Sequence, residues 1–331
     1  MNWKAIDWSS LERLRAAFLS GTAGTTDYWQ RESDLASYDA TFAQRIGWKW
    51  DYVLAELARR GWRPPGGELL DWGCGSGIAG RAFLDHFGTD SASRLQLWDR
   101  SPLATQYAAS RARQKHPNLA VATGITGSPA TLLISHVLTE LTPQQAEALA
   151  DFATNASSVL WVEPGTYEAS LRLIAIRERL RDRFNVIAPC THQARCGILA
   201  PGNDRHWCHH FASPPPAVFT DGNWARFAKT AGIDLRDLPL SFLVLDKRPP
   251  PPLPEGATRV IGHPRVYKAH ALLLGCAAGG VRECRLTKRA LPEEFRRLNK
   301  GKADVLQSWR CEAAEILEVK SMFTPPPDAS E

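Results

Sequence analysis

The chain has 331 residues, 44% of them hydrophobic and 23% charged, which excludes collagen-like, fully disordered and coiled-coil classes. No apolar run approaches the ~20 residues that cross a bilayer, and the opening MNWKAIDWSSLERLRAAF lacks a continuous apolar stretch of secretory type. A cytoplasmic protein with no membrane partner is expected. The net charge of +5 is unevenly spread: residues 247–302 carry thirteen Lys or Arg against four Glu, a balance of +9 that leaves −4 for the rest. A basic segment on a mildly acidic body points to a polyanionic partner.

In chain order, residues 1–66 read as helical, with an amphipathic stretch from Phe42 to Trp62 broken by Pro64, Pro65, Gly66 and Gly67. From residue 67 the text alternates. ELLDWG, RLQLWD, LAVAT, TLLISH and SVLWVE read as strands, and Ala79–Phe87, Leu103–Lys115, Pro143–Asn155 and Tyr167–Phe184 read as helices. Repeated strand–helix units predict an α/β parallel sheet covered on both faces, completed by a late strand at Ser241–Lys247. The prolines from Pro249 to Pro254 mark a boundary, so residues 67–247 form one domain and 248–331 a small basic module. In that module, Arg265–Leu274 and Val281–Lys288 predict a β-hairpin around residues 276–280, and Lys302–Val319 predicts a helix.

The most informative local motif is LLDWGCGSGIAGRAFL, where a strand ends in Asp71 and Gly73, Gly75 and Gly77 precede a helix. Glycines there let backbone approach a ligand, and the helix N-terminus offers free N–H donors. A dinucleotide fingerprint would need glycine where Ile78 stands. The pattern resembles instead motif I of the class I S-adenosylmethionine-dependent methyltransferases. Asp99 ends the next strand, twenty-two residues after Gly77, where a carboxylate accepts ribose hydroxyls. A catalytic base is not fixed by the sequence. His136, in Ser135-His136-Val137-Leu138 after the fourth strand, Glu140, and Glu163 in WVEPGT are the candidates, each equally readable as a packed structural residue.

Cys190, Cys196 and Cys208 fall in a C-x5-C-x11-C pattern. Three cysteines so close, in a chain with an odd total of seven, point to a metal rather than to disulfides. Zinc would take a histidine, His192, His209 or His210, as its fourth ligand. An iron–sulfur cluster needs four thiolates, and Cys276 is the distant candidate, with Cys284 a weaker one. Cys74 reads as a small filler and Cys311 as a residue on an exposed helix.

The segments VEPGTYEASLRLIAIRERL, VIAPCTHQARC, WCHHF and RVIGHPRVYKAHALLLGCAAGGVRECRLTKR together resemble the methyltransferase-like small-ribosomal-subunit protein family, over roughly residues 40–290. Its members are mitochondrial small-subunit assembly factors and their bacterial relatives. The resemblance implies a [4Fe–4S] cluster on Cys190, Cys196, Cys208 and Cys276. It also implies an S-adenosylmethionine pocket at Asp71, Gly73, Gly75, Gly77 and Asp99, and small-subunit rRNA or a small-subunit precursor as partner. The family's SHVLxEL segment is present at Ser135–Leu141. Thr191 and Gly197 replace the prolines that usually follow the first two cysteines, and a second histidine extends WCHF, which keeps zinc as an alternative. Three functions remain open: an iron–sulfur RNA-directed assembly protein, a competent rRNA methyltransferase, and a binding protein with a vestigial pocket.

Overall fold

The computed structural model describes residues 2–20 and 27–322. The N-terminal region is helical as expected, with α1 (Trp8–Ser20), α2 (Glu32–Asp39) and α3 (Phe42–Arg59). Helix α3 turns Trp50, Val53, Leu54 and Leu57 onto the sheet, where all four are fully buried.

The central sheet is built from β1 (Glu68–Trp72), α4 (Ile78–Phe87), β2 (Arg94–Trp98), α5 (Pro102–Lys115), β3 (Val121–Thr123), β4 (Thr131–Ser135), α6 (Pro143–Ala153), β5 (Ser158–Pro164), α7 (Tyr167–Leu180) and β6 (Asn185–Ala188). Then come β7 (His210–Ala212), the short α8 (Ala217–Thr220), α9 (Gly222–Ala231) and β8 (Leu238–Asp246). The strand order is β3-β2-β1-β4-β5-β8-β6, with β7 paired to β8. The five strands read from the sequence pair in parallel, but β8 runs antiparallel to β5, β6 and β7, so the sheet is mixed. Strands β6 and β7 are too short to register as apolar runs. Leu69, Leu70, Leu132, Leu133, Val159 and Leu160 are buried because helices cover both faces. One core layer lies under α3, α4 and α5, the other under α6 and α7.

Beyond the prolines the chain departs from expectation. The hairpin exists, as β10 (His270–Ala277) and β11 (Gly280–Thr287). It is, however, part of a closed five-stranded barrel with β9 (Ala257–Val266), β12 (Leu306–Glu312) and β13 (Glu315–Ser321), and α10 (Pro292–Asn299) packs against its core. The helix expected over 302–319 is therefore the β12–β13 hairpin, and Cys311 lies on a strand. Trp309 and Ile316 supply barrel core, and Ala313 turns the chain at φ 51°, without the glycine that usually signals such a turn. Gly275 faces the Trp309 indole so closely that a Cβ there would lie 2.5 Å from Cζ3.

A buried ion triad ties the barrel to the helical region. Arg259 of β9 and Arg60 both reach Glu56 of α3, at 2.5 and 2.8 Å, and Tyr52 Oη accepts from Arg259 at 2.9 Å. Arg60 also donates to the backbone oxygens of Ile187, Pro189 and Cys190, so the triad fixes the start of the cysteine segment as well. Among the described residues no helix is long and apolar enough to cross a membrane.

Candidate functional site

The strand order reverses between β1 and β4, and in open α/β sheets ligands bind outside the strand ends at that point. A cavity of about 480 Å³ opens there, within the usual range for small-molecule sites. Its floor is the glycine loop from Gly73 to Ser76, and its walls carry Tyr28, Trp29, Tyr38, Trp72 and Trp98. The Gly75 N–H donates to Asp99 Oδ2 at 2.9 Å, which ties the β2 end to the loop. The Ser101 N–H holds the other Asp99 oxygen, while burial pushes the carboxyl above its ordinary range.

The three glycines serve different ends. Gly73 and Gly77 are packing positions, because a Cβ would lie 2.8 Å from Val137 Cγ1 in the first case and 2.9 Å from Ala108 Cβ in the second. At Gly75 (φ 50°) a Cβ would meet nothing within 4 Å among the described residues, at a position lining the cavity. Asp71 is buried beneath the loop, where Oδ2 accepts from the Gly80 N–H at 2.9 Å and Oδ1 has no partner among the described residues. Burial raises its pKa to about 7. A backbone cradle open to ligand, a carboxylate at the β2 end and an aromatic wall fit a nucleoside carrying a positive charge.

Of the three base candidates, His136 and Glu140 line the cavity and Glu163 does not. Glu163 Oε1 accepts from the Val137 and Leu138 N–H groups, both at 3.1 Å, and from Trp161 Nε1 at 2.8 Å. It thus shapes the segment after β4, and burial lifts its pKa to about 7. His136 has a left-handed backbone (φ 56°), and its ring lies 3.1 Å from Lys49 Nζ through Nε2 and 3.4 Å from Ser135 Oγ through Nδ1. Burial, then Lys49 and Arg45, hold His136 well below its ordinary pKa. Glu140 remains open to the cavity, with Tyr28 Oη at 3.4 Å and Arg100 at 3.9 Å; burial raises its pKa to about 7. Lys49, which touches His136 from behind the cavity wall, was not legible from the sequence. It sits on amphipathic α3 like a surface lysine, yet it is buried with its pKa pulled to about 7, first by burial and then by Arg45.

Cys190, Cys196, Cys208 and Cys276 share one neighbourhood between α7, β8 and the β10–β11 hairpin. Cys196, Cys208 and Cys276 pack in one small cluster with Ile174, Ile198 and Ile261. A cavity of about 30 Å³ is lined by Cys190, Cys196 and Cys208 together with Arg177. Burial and the neighbouring thiols raise the pKa of Cys196 to about 11 and push those of Cys208 and Cys276 up as well. Among the described residues, however, no group of three or more His, Cys, Asp or Glu side chains stands where it could hold a metal ion. His192 Nε2 lies 3.6 Å from Cys276 Sγ and His210 Nε2 lies 3.6 Å from Cys208 Sγ. His209 instead stacks on Trp207 with ring centroids 4.4 Å apart. Cys284 is no substitute ligand, since it faces the barrel interior beside Cys311. Cys74 is buried in the glycine turn.

No curated protein matches this chain. Among solved structures, a putative RNA methyltransferase from Pyrococcus horikoshii is 9% identical over 60% of this chain and 80% of its own, with a TM-score of 0.36. Magnesium protoporphyrin IX methyltransferase from Synechocystis PCC 6803 with bound SAM is 12% identical over 72% and 97%, with a TM-score of 0.39. TrmK from M. capricolum, in complex with S-adenosyl-homocysteine, is 6% identical over 60% and 68%, with a TM-score of 0.32. The family described as mitochondrial small ribosomal subunit Rsm22 matches residues 51–304, a span that takes in the glycine loop, the cysteine segment and most of the barrel. With that share of its length matched, the chain belongs to the Rsm22 family.

Proposed function

We propose that this chain binds S-adenosylmethionine in the cavity at the ends of β1 and β4 and acts on the small ribosomal subunit or its RNA. The observation that carries the reading is Gly75, which presents bare backbone to the cavity while its N–H fixes Asp99 at the rim. Asp99 would accept the ribose hydroxyls, and Trp72 and Trp98, packed on one another with centroids 4.7 Å apart, would present one aromatic surface to the positive charge. When bound, the cofactor supplies an electrophilic methyl group, so the protein's part is largely positioning. The family description brings the small ribosomal subunit into the reading.

Methyl transfer by this chain is favoured by one feature: Glu140 faces the cavity with a pKa near neutrality, suited to taking a proton from an acceptor. The same proposal assigns Cys190, Cys196, Cys208 and Cys276 to a [4Fe–4S] cluster that would join the sheet to the barrel structurally. Support comes from the shared neighbourhood of the four thiols, where burial first and the neighbouring thiols second keep Cys208 and Cys276 protonated until a cation is present. Calorimetry tests the pocket: Asp99→Ala and Gly75→Val should each abolish or greatly weaken S-adenosylmethionine binding, and unchanged affinity in both variants would remove the assignment. Incubation with methyl-labelled cofactor and small-subunit precursor RNA reads transfer directly.

A further inference from the structure

The basic module has a topology that its charge does not reveal. Its strands follow the order β9-β10-β11-β13-β12 and close back on β9; β11 and β13 run parallel, and α10 connects β11 to β12. Numbered within the barrel, this is 1-2-3-5-4-1 with a helix between strands 3 and 4. That is the arrangement of oligonucleotide- and oligosaccharide-binding barrels, whose ligands lie across strands 2 and 3 and the adjoining loops.

On the outer face of those strands, one end is already covered. Leu274, Cys276 and Val281 pack against Cys196 and Ile198 of the cysteine segment, and a Cβ on Gly197 would come within 2.6 Å of the Val281 nitrogen. The other end is open. Tyr267, in the β9–β10 loop, is 48% exposed and stacks on His270 with ring centroids 4.8 Å apart and planes 18° apart. Register places Thr287 beside His270, and Arg285 beside Leu272, while the Lys288 N–H donates to Ala269 O at 2.9 Å. Lys268, Arg285 and Lys288 therefore surround the stacked pair.

Ion pairing separates these cations from three arginines of the basic segment, though not from Arg282, Arg289, Lys300 and Lys302, which also stand outside the ion pairs among the described residues. Arg296 pairs with Glu293 at 2.9 Å, Arg297 with Asp304 at 3.5 Å, and Arg265 with Glu283. Among the described residues, the ion pairs leave Lys268, Arg285 and Lys288 without a carboxylate partner. Register sets Glu315 of β13 beside Arg285, at no ion-pair distance, with Glu312 across from it, so the positive track follows the β9–β10 loop and the end of β11 away from β13.

We infer that this open end of the barrel binds single-stranded RNA, a base stacking on the Tyr267–His270 pair and Lys268, Arg285 and Lys288 contacting phosphates. An exposed aromatic platform can use only a base whose face is free, which a duplex does not offer. The inference rests on the RNA partner proposed above but not on the cofactor pocket, and it moves the expected contact away from α10.

The test uses the full chain and fluorescence anisotropy with a labelled oligouridine of about 12 nucleotides, against a blunt RNA duplex of the same length. The parent should bind the single strand at least about tenfold more tightly than the duplex. Tyr267→Ala should weaken single-strand binding by about fivefold or more, with the salt dependence unchanged, whereas Tyr267→Phe should keep the parent's affinity. Arg285→Gln with Lys288→Gln should flatten the slope of log affinity against log salt by about 1.4, for two lost phosphate contacts. Parent affinity in Tyr267→Ala/His270→Ala, or equal affinity for the duplex, would overturn the barrel site while leaving an RNA partner standing. A parent that binds neither RNA would overturn both, and calorimetry with S-adenosylmethionine would still judge the pocket separately.

Discussion

Gly75 and Gly77 stand two residues apart in one loop, yet a methyl group added to each would meet different surroundings. At Gly77 it would strike Ala108, whose Cβ is 2.9 Å and whose Cα is 3.3 Å away, so helix α5 would have to move. At Gly75 it would meet nothing within 4 Å among the described residues. Gly75→Ala should therefore cost about 1–2 kcal/mol, the strain of a left-handed alanine, and should lose cofactor affinity. Gly77→Ala should add an overpacking penalty of about 1–3 kcal/mol to the same strain. Urea denaturation and calorimetry separate the two outcomes. Glu163 supports a pH prediction: its folded pKa of about 7 lies above the ordinary value of 4.5, so the folded state retains a proton that the unfolded chain releases. The contribution of that proton is fully present below pH 4.5, declines as pH rises toward 7 and is gone above it. Glu163→Gln keeps an oxygen for the three N–H donors and should remove up to one proton's share of the slope, about 1.4 kcal/mol per pH unit. Denaturation midpoints of parent and variant from pH 5 to 8 measure it. The glycine turn after β1, and Asp99 at the end of β2, were legible as a strand-to-helix loop because turn chemistry writes itself into spacing. Lys49 and the anchoring role of Glu163 were not, since burial of a charged side chain is decided by elements distant in the chain.

At the scale of elements, the sequence separates what is locally encoded from what closure imposes. The alternation of β1 to β5 with their helices was legible because each strand is an apolar run and each helix has its own period, as in the capping box of Thr142 and Gln145 at α6. The barrel was not. Ala313-Ala314 reads as helix, and Trp309 and Ile316 show their purpose only once β12 and β13 enclose them with Leu273 and Cys284. The Glu56 triad was hidden for the same reason: Arg259 lies on the far side of the proline run and resembles any other basic residue of its segment. Glu56→Ala leaves two buried guanidinium groups without their carboxylate, and removal of one partner from a buried pair costs about 3–5 kcal/mol. Guanidinium denaturation should show that loss. A variant as stable as the parent would mean that Tyr52 and the carbonyls of Ile187, Pro189 and Cys190 suffice for both arginines.

For the whole molecule, the question is what holds the barrel against the sheet. The covalent link is the proline run, with Arg248 at its start anchored to Asp246 at 2.7 Å. The non-covalent links include the Arg259–Glu56 pair, the bond from the Gly262 N–H to His209 O, the stacking of His263 on Phe211, and the apolar contact of the cysteine segment with the β10–β11 hairpin. The proposed cluster would add another, because Cys276 belongs to the barrel and the other three ligands to the sheet domain. Among the described residues the thiols do not form an ion site as they stand, so ligation would rearrange them, and part of the binding energy is then folding energy. Protein purified without oxygen should accordingly be brown and carry about four irons per chain. Cys190→Ser, Cys196→Ser, Cys208→Ser and Cys276→Ser should each lose iron and become easier to cleave within residues 249–254, while Cys74→Ser and Cys311→Ser should keep both properties. Cys284→Ser should also keep iron, since that thiol faces the barrel core. The pair Arg259–Glu56 is untouched in every cysteine variant, so cleavage should accelerate without the barrel coming free. Zinc at one equivalent with no iron, from iron-replete cells, would replace the cluster by a single ion and call on His192 or His210, each 3.6 Å from a thiol of the group.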